Sequence, residues 1–179
     1  MIDIKQIHHV AYRCKDAKET AEFYQKYLNM ELTVCIAEDK VPSTKEPDPY
    51  MHIFLDAGQG NILAFFEITG QKEMSRDLNT PIWVQHIAFQ VESLDALKEA
   101  KAELESKGIE VLGITDHGII KSIYFFDPNG HRVELTCVTG SDEQLKKLKE
   151  MAPAMLEEWS KTKTPPKAAA WLHEDEFKS

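Results

Sequence analysis

One succession of elements occurs twice in this chain, and that repetition constrains the fold more than any other feature. The stretch "HVAYRCKDAKETAEFYQKYLNMEL" begins at His9 and "HIAFQVESLDALKEAKAELESKGIEV" at His86, 77 residues later. Each opens on a short run of β-formers and passes into a helix, with Ala17, Ala21, Tyr24 and Leu28 apolar at helical spacing in the first and Leu94, Leu97, Ala100 (or Lys101) and Leu104 along the second. Gly108 ends the second helix. Three strands follow in each case: "MELTVCIA", "MHIFLDAG" and "NILAFFEIT" in the first half, "IEVLG" and the two arms of "SIYFFDPNGHRVELT" in the second. A repeat of this length implies two similar βαβββ modules rather than a solenoid of short units.

The expected fold class is therefore α+β, with a first module over residues 1–77, a second over 78–140 and a C-terminal helix and arm over 141–179. Ser141 with Gln144 forms a capping-box signature, and Leu145, Leu148, Ala152, Met155 and Trp159 trace one helical face. Pro153 is expected to kink or divide that helix, and the final segment reads as an arm packing through Trp171 and Leu172, or a loose tail. The polar, proline-bearing segment from Glu38 to Tyr50 reads as a long loop, either a lid or a contact of a homodimer. Phe54, Phe65, Phe89, Phe126 and Trp83 are expected in the core.

A formal charge of -9 and the lack of a basic stripe argue against a hold on nucleic acid or on an anionic membrane. No run approaches membrane-spanning length, and Cys14, Cys35 and Cys137 lack metal-type spacing, so a reducing cytoplasm is the simplest setting. A small molecule is the expected partner.

Glu134 sits inside an apolar run in the closing hairpin, which raises the question of which way it faces. Asp-Pro-Asn-Gly reverses the chain, with Gly130 taking the left-handed position. In the commonest register Asp127 lies opposite His131, which puts Tyr124 opposite Glu134 on one face and Phe125 and Val133 on the other. Each module thus opens on a histidine, His9 or His86, and ends on an apolar-flanked carboxylate, Glu67 or Glu134. Neutral nitrogen with anionic oxygen suits Fe(II), Mn(II), Ni(II), Co(II) or Zn(II) better than calcium. A single histidine is more often a satisfied core or surface residue, but a His-plus-Glu pair at matching ends of both repeats is hard to obtain by chance.

"HHVAY", "HIAFQV" and above all "SIYFFDPNGHRVELT" resemble the vicinal oxygen chelate superfamily, which includes glyoxalase I, extradiol ring-cleaving dioxygenases and antibiotic-resistance proteins. The resemblance spans about residues 5 to 138 and implies that the paired modules form an eight-stranded cup around a divalent metal. It selects His9 over His8 as the first ligand, with His86 and Glu134 completing a two-histidine, one-carboxylate set; strand alternation sends His8 and His9 to opposite faces. Glu67 corresponds to the fourth ligand of glyoxalase I enzymes, which the dioxygenases lack, and His52 is equally ambiguous. The resemblance further implies an acid/base role for His117 and a substrate-binding role for Tyr124, which favours an extradiol-type dioxygenase with Fe(II). The alternatives are a glyoxalase-like isomerase or lyase and a resistance protein that binds a small molecule without turnover.

Overall fold

The computed structural model describes residues 2 and 4–165. The chain folds as two compact units. One comprises the described residues up to His86 together with Phe126–Arg132; the other comprises Ile87–Phe125 and the described residues from Val133 onward.

Unit one runs β1 (Val10–Cys14), α1 (Ala17–Leu28), β2 (Glu31–Lys40), β3 (Pro47–Asp56) and β4 (Ile62–Ile68), and its sheet has the order β1-β4-β3-β2. β1 pairs with β4 in parallel, while β4 with β3 and β3 with β2 are antiparallel. Asp16 starts α1 by accepting the backbone N–H of Glu19 at 2.8 Å, and Asn29 closes the helix in the left-handed conformation. α1 packs across β2, β3 and β4, burying Tyr24, Leu55, Leu63 and Phe65. Each such side chain contributes about 1.5–3 kcal/mol when fully buried.

The segment expected to be a long loop is mostly strand. Pairing of β2 with β3 continues to Lys40 and Pro47, across a register shift between Glu38 and Lys40, which leaves only residues 41–46 as the connection. Pro47 is accommodated because it opens its strand, where its missing N–H breaks little of the ladder.

Unit two carries, apart from the terminal strand residues His86, Phe126 and Arg132, the elements β5 (His86–Gln90), α2 (Leu94–Ser106), β6 (Leu112–Asp116), β7 (Ile120–Phe126), β8 (Arg132–Val138) and α3 (Asp142–Thr162), with sheet order β5-β8-β7-β6. Ser93 caps α2, whose Leu97 and Leu104 are buried. Ile123, Phe125, Val133, Leu135 and Cys137 alternate into the same core. α3 begins with the expected capping box of Ser141 and Gln144 and continues through Pro153 as one element of 21 residues, with none of its residues buried. The arm with Trp171 and Leu172 lies outside the described residues. Of the aromatics expected inside, Phe65 is fully buried, whereas Phe126, in the last position of β7, is 44% exposed and Trp83, in the turn before β5, is 66% exposed.

The tip of the β7–β8 hairpin belongs to unit one and is held there by polar side chains. The Asp127 carboxylate accepts from Tyr24 Oη at 3.2 Å, Asn129 Nδ2 at 2.9 Å and the backbone N–H groups of Asn129 and His131 at 2.9 and 2.8 Å. Asn129 also donates to Thr20 Oγ1 at 3.1 Å and accepts from the Lys15 N–H at 2.8 Å. His131 Nε2 donates to the Arg13 carbonyl at 2.7 Å. Burial and the neighbouring Asp127 carboxylate both push the Tyr24 phenol well above its ordinary pKa, so its proton stays on that hydrogen bond.

Candidate functional site

His9 immediately precedes β1 and lies over the sheet face that carries His52, Phe54 and Phe66. Its ring centroid is 6.2 Å from that of His52 and 5.8 Å from that of Phe54. His52 stacks on Phe66 at 3.5 Å and is tilted against Phe54 at 4.1 Å. Burial, and then the nearby His9, lower the pKa of His52, so the neutral ring is favoured. The Nδ1 atoms of His8 and His9 are 2.8 Å apart. The two rings meet instead of facing away from one another because both residues precede the strand, whose alternation begins only at Val10.

His86 opens β5. Its Nδ1 lies 3.0 Å from the Val84 carbonyl. A carbonyl can only accept, so Nδ1 carries the proton, and in the neutral ring Nε2 is the nitrogen that bears the lone pair. That tautomer, fixed through the far nitrogen, is the one a metal-ligating histidine needs.

Glu67 occupies a different environment. β1 pairs with β4 so that Cys14 is opposite Glu67 and Tyr12 opposite Phe65, and Phe65 lies against Tyr24 of α1 at 5.2 Å between ring centroids. Glu67 shares that helix-covered face, and its Oε2 accepts the N–H of Ala17 at 2.7 Å. It therefore caps the first turn of α1, where an anionic oxygen satisfies an orphan donor and meets the positive end of the helix dipole. The structure brings His9 together with His52, Phe54 and His8, and places Glu67 on the other face of the same sheet.

At the tip of the closing hairpin the backbone N–H of Asp127 donates to the His131 carbonyl at 3.0 Å, which is the expected register. Tyr124 and Glu134 accordingly share a face with Ser122 and Thr136. Glu134 is only 4% exposed, and its Oε1 accepts from Ser122 Oγ at 2.5 Å. Ser122 Oγ is also 3.0 Å from Thr136 Oγ1. Tyr124 Oη lies 2.7 Å from His117 Nε2. The backbone N–H of His117 donates to the Ile120 carbonyl at 2.9 Å, which anchors the turn that presents the imidazole.

Among the described residues, no three or more His, Cys, Asp or Glu side chains stand grouped as a metal site. His9 and His86 belong to unit one and Glu134 to unit two. The donor chemistry nevertheless fits a divalent transition metal: a proton-fixed imidazole at His86, a second imidazole at His9, and a buried carboxylate oriented by a hydroxyl at Glu134. Sequence reasoning passed over Ser122 and Thr136, although the register that pairs Tyr124 with Glu134 also pairs Ser122 with Thr136.

A family model described as the glyoxalase/bleomycin resistance protein/dioxygenase superfamily matches residues 6–135. The chain belongs to that superfamily. Among solved structures of this glyoxalase/dioxygenase fold, the chain is similar to a glyoxalase family protein from Enterococcus faecalis at 28% identity, covering 74% of this chain and 97% of that one with a TM-score of 0.56. An integron cassette protein from the mobile metagenome of the Halifax Harbour sewage outfall is 28% identical over 75% of this chain and 100% of its own, with a TM-score of 0.54. The fosfomycin resistance protein FosX from Listeria monocytogenes, in a structure with Mn(II) and sulfate, shares the fold at 23% identity, with 80% of this chain and 99% of that one covered and a TM-score of 0.54. Among the described residues no helix is long and apolar enough to cross a membrane.

Proposed function

We propose that this superfamily member is a metal-dependent enzyme of the extradiol ring-cleaving type, acting on a catechol-like small molecule, with His9, His86 and Glu134 as ligands of Fe(II). The observation that carries this reading is the 2.7 Å contact of His117 with Tyr124 on the sheet face of Glu134. It joins an imidazole, which has one nitrogen to accept and one to donate a proton, to a phenol that can bond a substrate oxygen. Fe(II) held by this set would supply the electron-transfer chemistry that joins dioxygen to an electron-rich ring. Tyr124 Oη orients the catechol oxygen, and His117 Nε2, relieved of that phenol by the substrate, takes up and returns the proton. Glu67 supports the three-ligand set because one of its oxygens is committed to α1. Ni, Zn, Mn and Co fit the same donors, and Mn(II) accompanies FosX.

The test is oxygen uptake by protein reconstituted with Fe(II) across a panel of catechols. Uptake is expected, with kcat lowered about 100-fold by His117→Ala, in keeping with the usual worth of a positioned acid/base group. Absence of uptake together with turnover of a hemithioacetal would replace this reading with that of a glyoxalase-like isomerase. Tight binding of a small molecule that persists in Glu134→Ala, without turnover, would replace it with that of a sequestering resistance protein.

A further inference from the structure

We propose that Ser122 is a positioning residue that holds the Glu134 carboxylate in its ligating orientation; this rests on the ligand role of Glu134 given above. β7 and β8 set Ser122 opposite Thr136, two positions beyond Glu134 on the same face. One hydroxyl therefore reaches both neighbours, Glu134 Oε1 at 2.5 Å and Thr136 Oγ1 at 3.0 Å. Ser122 has a single proton to give. The shorter contact to an anionic oxygen takes it, because a charge-assisted hydrogen bond outweighs one between neutral hydroxyls. Thr136 then shares its own proton between Ser122 Oγ and the Lys121 carbonyl, which lies 3.2 Å from Thr136 Oγ1. The relay runs from a backbone carbonyl fixed in β7, through two hydroxyls, to one oxygen of the carboxylate.

Burial makes this relay effective. Ser122 is fully buried and Glu134 nearly so, at 0% and 4% exposure. Solvent does not compete for the Ser122 proton, and removing the hydroxyl takes that hydrogen bond from Oε1 in a place where water enters with difficulty. A carboxylate held by a hydroxyl on one oxygen loses little freedom when it ligates a cation, whereas an unheld one must be ordered first. Supporting hydrogen bonds of this kind typically change metal affinity by about 10- to 100-fold. Ser122 acts through Glu134 and is assigned no contact with the cation.

The experiment compares Mn(II) affinity, read by competition with a chelating dye, in the full chain and in Ser122→Ala, Ser122→Thr and Glu134→Ala, alongside the melting temperature of each metal-free protein. Ser122→Ala is expected to bind Mn(II) about tenfold or more weakly, and Ser122→Thr, which keeps the hydroxyl, within about threefold of the parent. A hydroxyl that merely satisfied the core would move the melting temperature and leave the affinity alone. Affinity of Ser122→Ala within about twofold of the parent, with Glu134→Ala more than about 100-fold weaker, would overturn the role of Ser122 while leaving the ligand set intact. Parent-like binding by Glu134→Ala would overturn the ligand set itself. Should Ser122→Ala fail to fold, Thr136→Val, which removes the outer hydroxyl of the relay, is expected to weaken Mn(II) binding about threefold, below the usual range because it acts at one remove. Unchanged affinity there would overturn the proposal.

Discussion

Glu67 and Glu134 read alike in the sequence, each an apolar-flanked carboxylate near the end of a module, yet they are put to different uses. Glu67 lies on the helix-covered face of its sheet and accepts the Ala17 N–H. Glu134 lies on the face of Tyr124 and Ser122 and accepts a side-chain hydroxyl. The side-chain period of a strand is two, so a shift of one residue exchanges a helix cap for a candidate ligand. What distinguishes these carboxylates is which face of the pleat they occupy, a property that residue type does not carry.

The largest expected effect separates them directly. Glu134→Ala should weaken Mn(II) or Fe(II) binding by more than about 100-fold, since the loss of a supporting group alone costs 10- to 100-fold. Glu67→Ala should leave metal affinity within about twofold. Dye competition on both variants checks the contrast, and equal losses would restore a four-ligand centre and with it the glyoxalase-like chemistry.

A third carboxylate calibrates the two. Asp127 is 5% exposed and accepts four hydrogen bonds within unit one. Asp127→Ala leaves the Tyr24 hydroxyl and three N–H donors short of a partner, so it should cost about 2–4 kcal/mol of stability. For a chain of this size that corresponds to a fall in Tm of about 4–16 °C. The Mn(II) affinity of the folded variant should stay near that of the parent, which marks Asp127 as a carboxylate of the fold.

Much of this was legible beforehand, and the failures have physical causes. Both helices of the repeat form where the apolar spacing placed them, and in the structure Asp16 and Ser93 cap them. The closing hairpin keeps the expected register because Asp-Pro-Asn-Gly admits few turn geometries. The same motif concealed its other purpose: turn chemistry is local, whereas the bonds from Asp127 and Asn129 to Tyr24 and Thr20 span more than 100 residues. The face of Glu67 was hidden because strand alternation groups it with Leu63 and Phe65 without saying which face α1 covers. The prolines between Glu38 and Tyr50 masked the extension of β2 and β3, since Pro42 lies in the connection and Pro47 and Pro49, the first and third residues of β3, look like loop.

A smaller effect tests the cap. Glu67→Ala removes the acceptor of the Ala17 N–H and a negative charge at the positive end of α1. The loss of stability should be about 1 kcal/mol, the usual worth of an N-terminal cap, or about 2–4 °C in Tm. Glu67→Gln, which keeps an acceptor and loses the charge, should fall between the parent and Glu67→Ala. Thermal unfolding of the metal-free proteins checks the order, and a Tm of Glu67→Ala equal to that of the parent would remove the cap.

The smallest effect is read through Cys14, the residue opposite Glu67 in the β1–β4 pairing. Burial first, and then the charges of Glu67, Asp16 and Asp127, push its thiol from the ordinary 9.0 to about 11, against a hydrogen bond with Thr20 that lowers it. Between those values the folded chain keeps a proton that the unfolded chain has released. Stability is therefore unaffected by this group below pH 9 and falls as the pH rises through that window toward 11. Cys14→Ala should flatten that part of the stability curve, measured by urea unfolding at pH 8 and pH 10. Glu67→Gln removes one of the raising charges, so Cys14 should alkylate slightly faster at pH 10 in that variant than in the parent, while exposed Cys35 reacts fast in both. No difference at Cys14 would mean that Glu67 does not sit beside that thiol on the helix-covered face, and the contrast with Glu134 would lose its geometric basis.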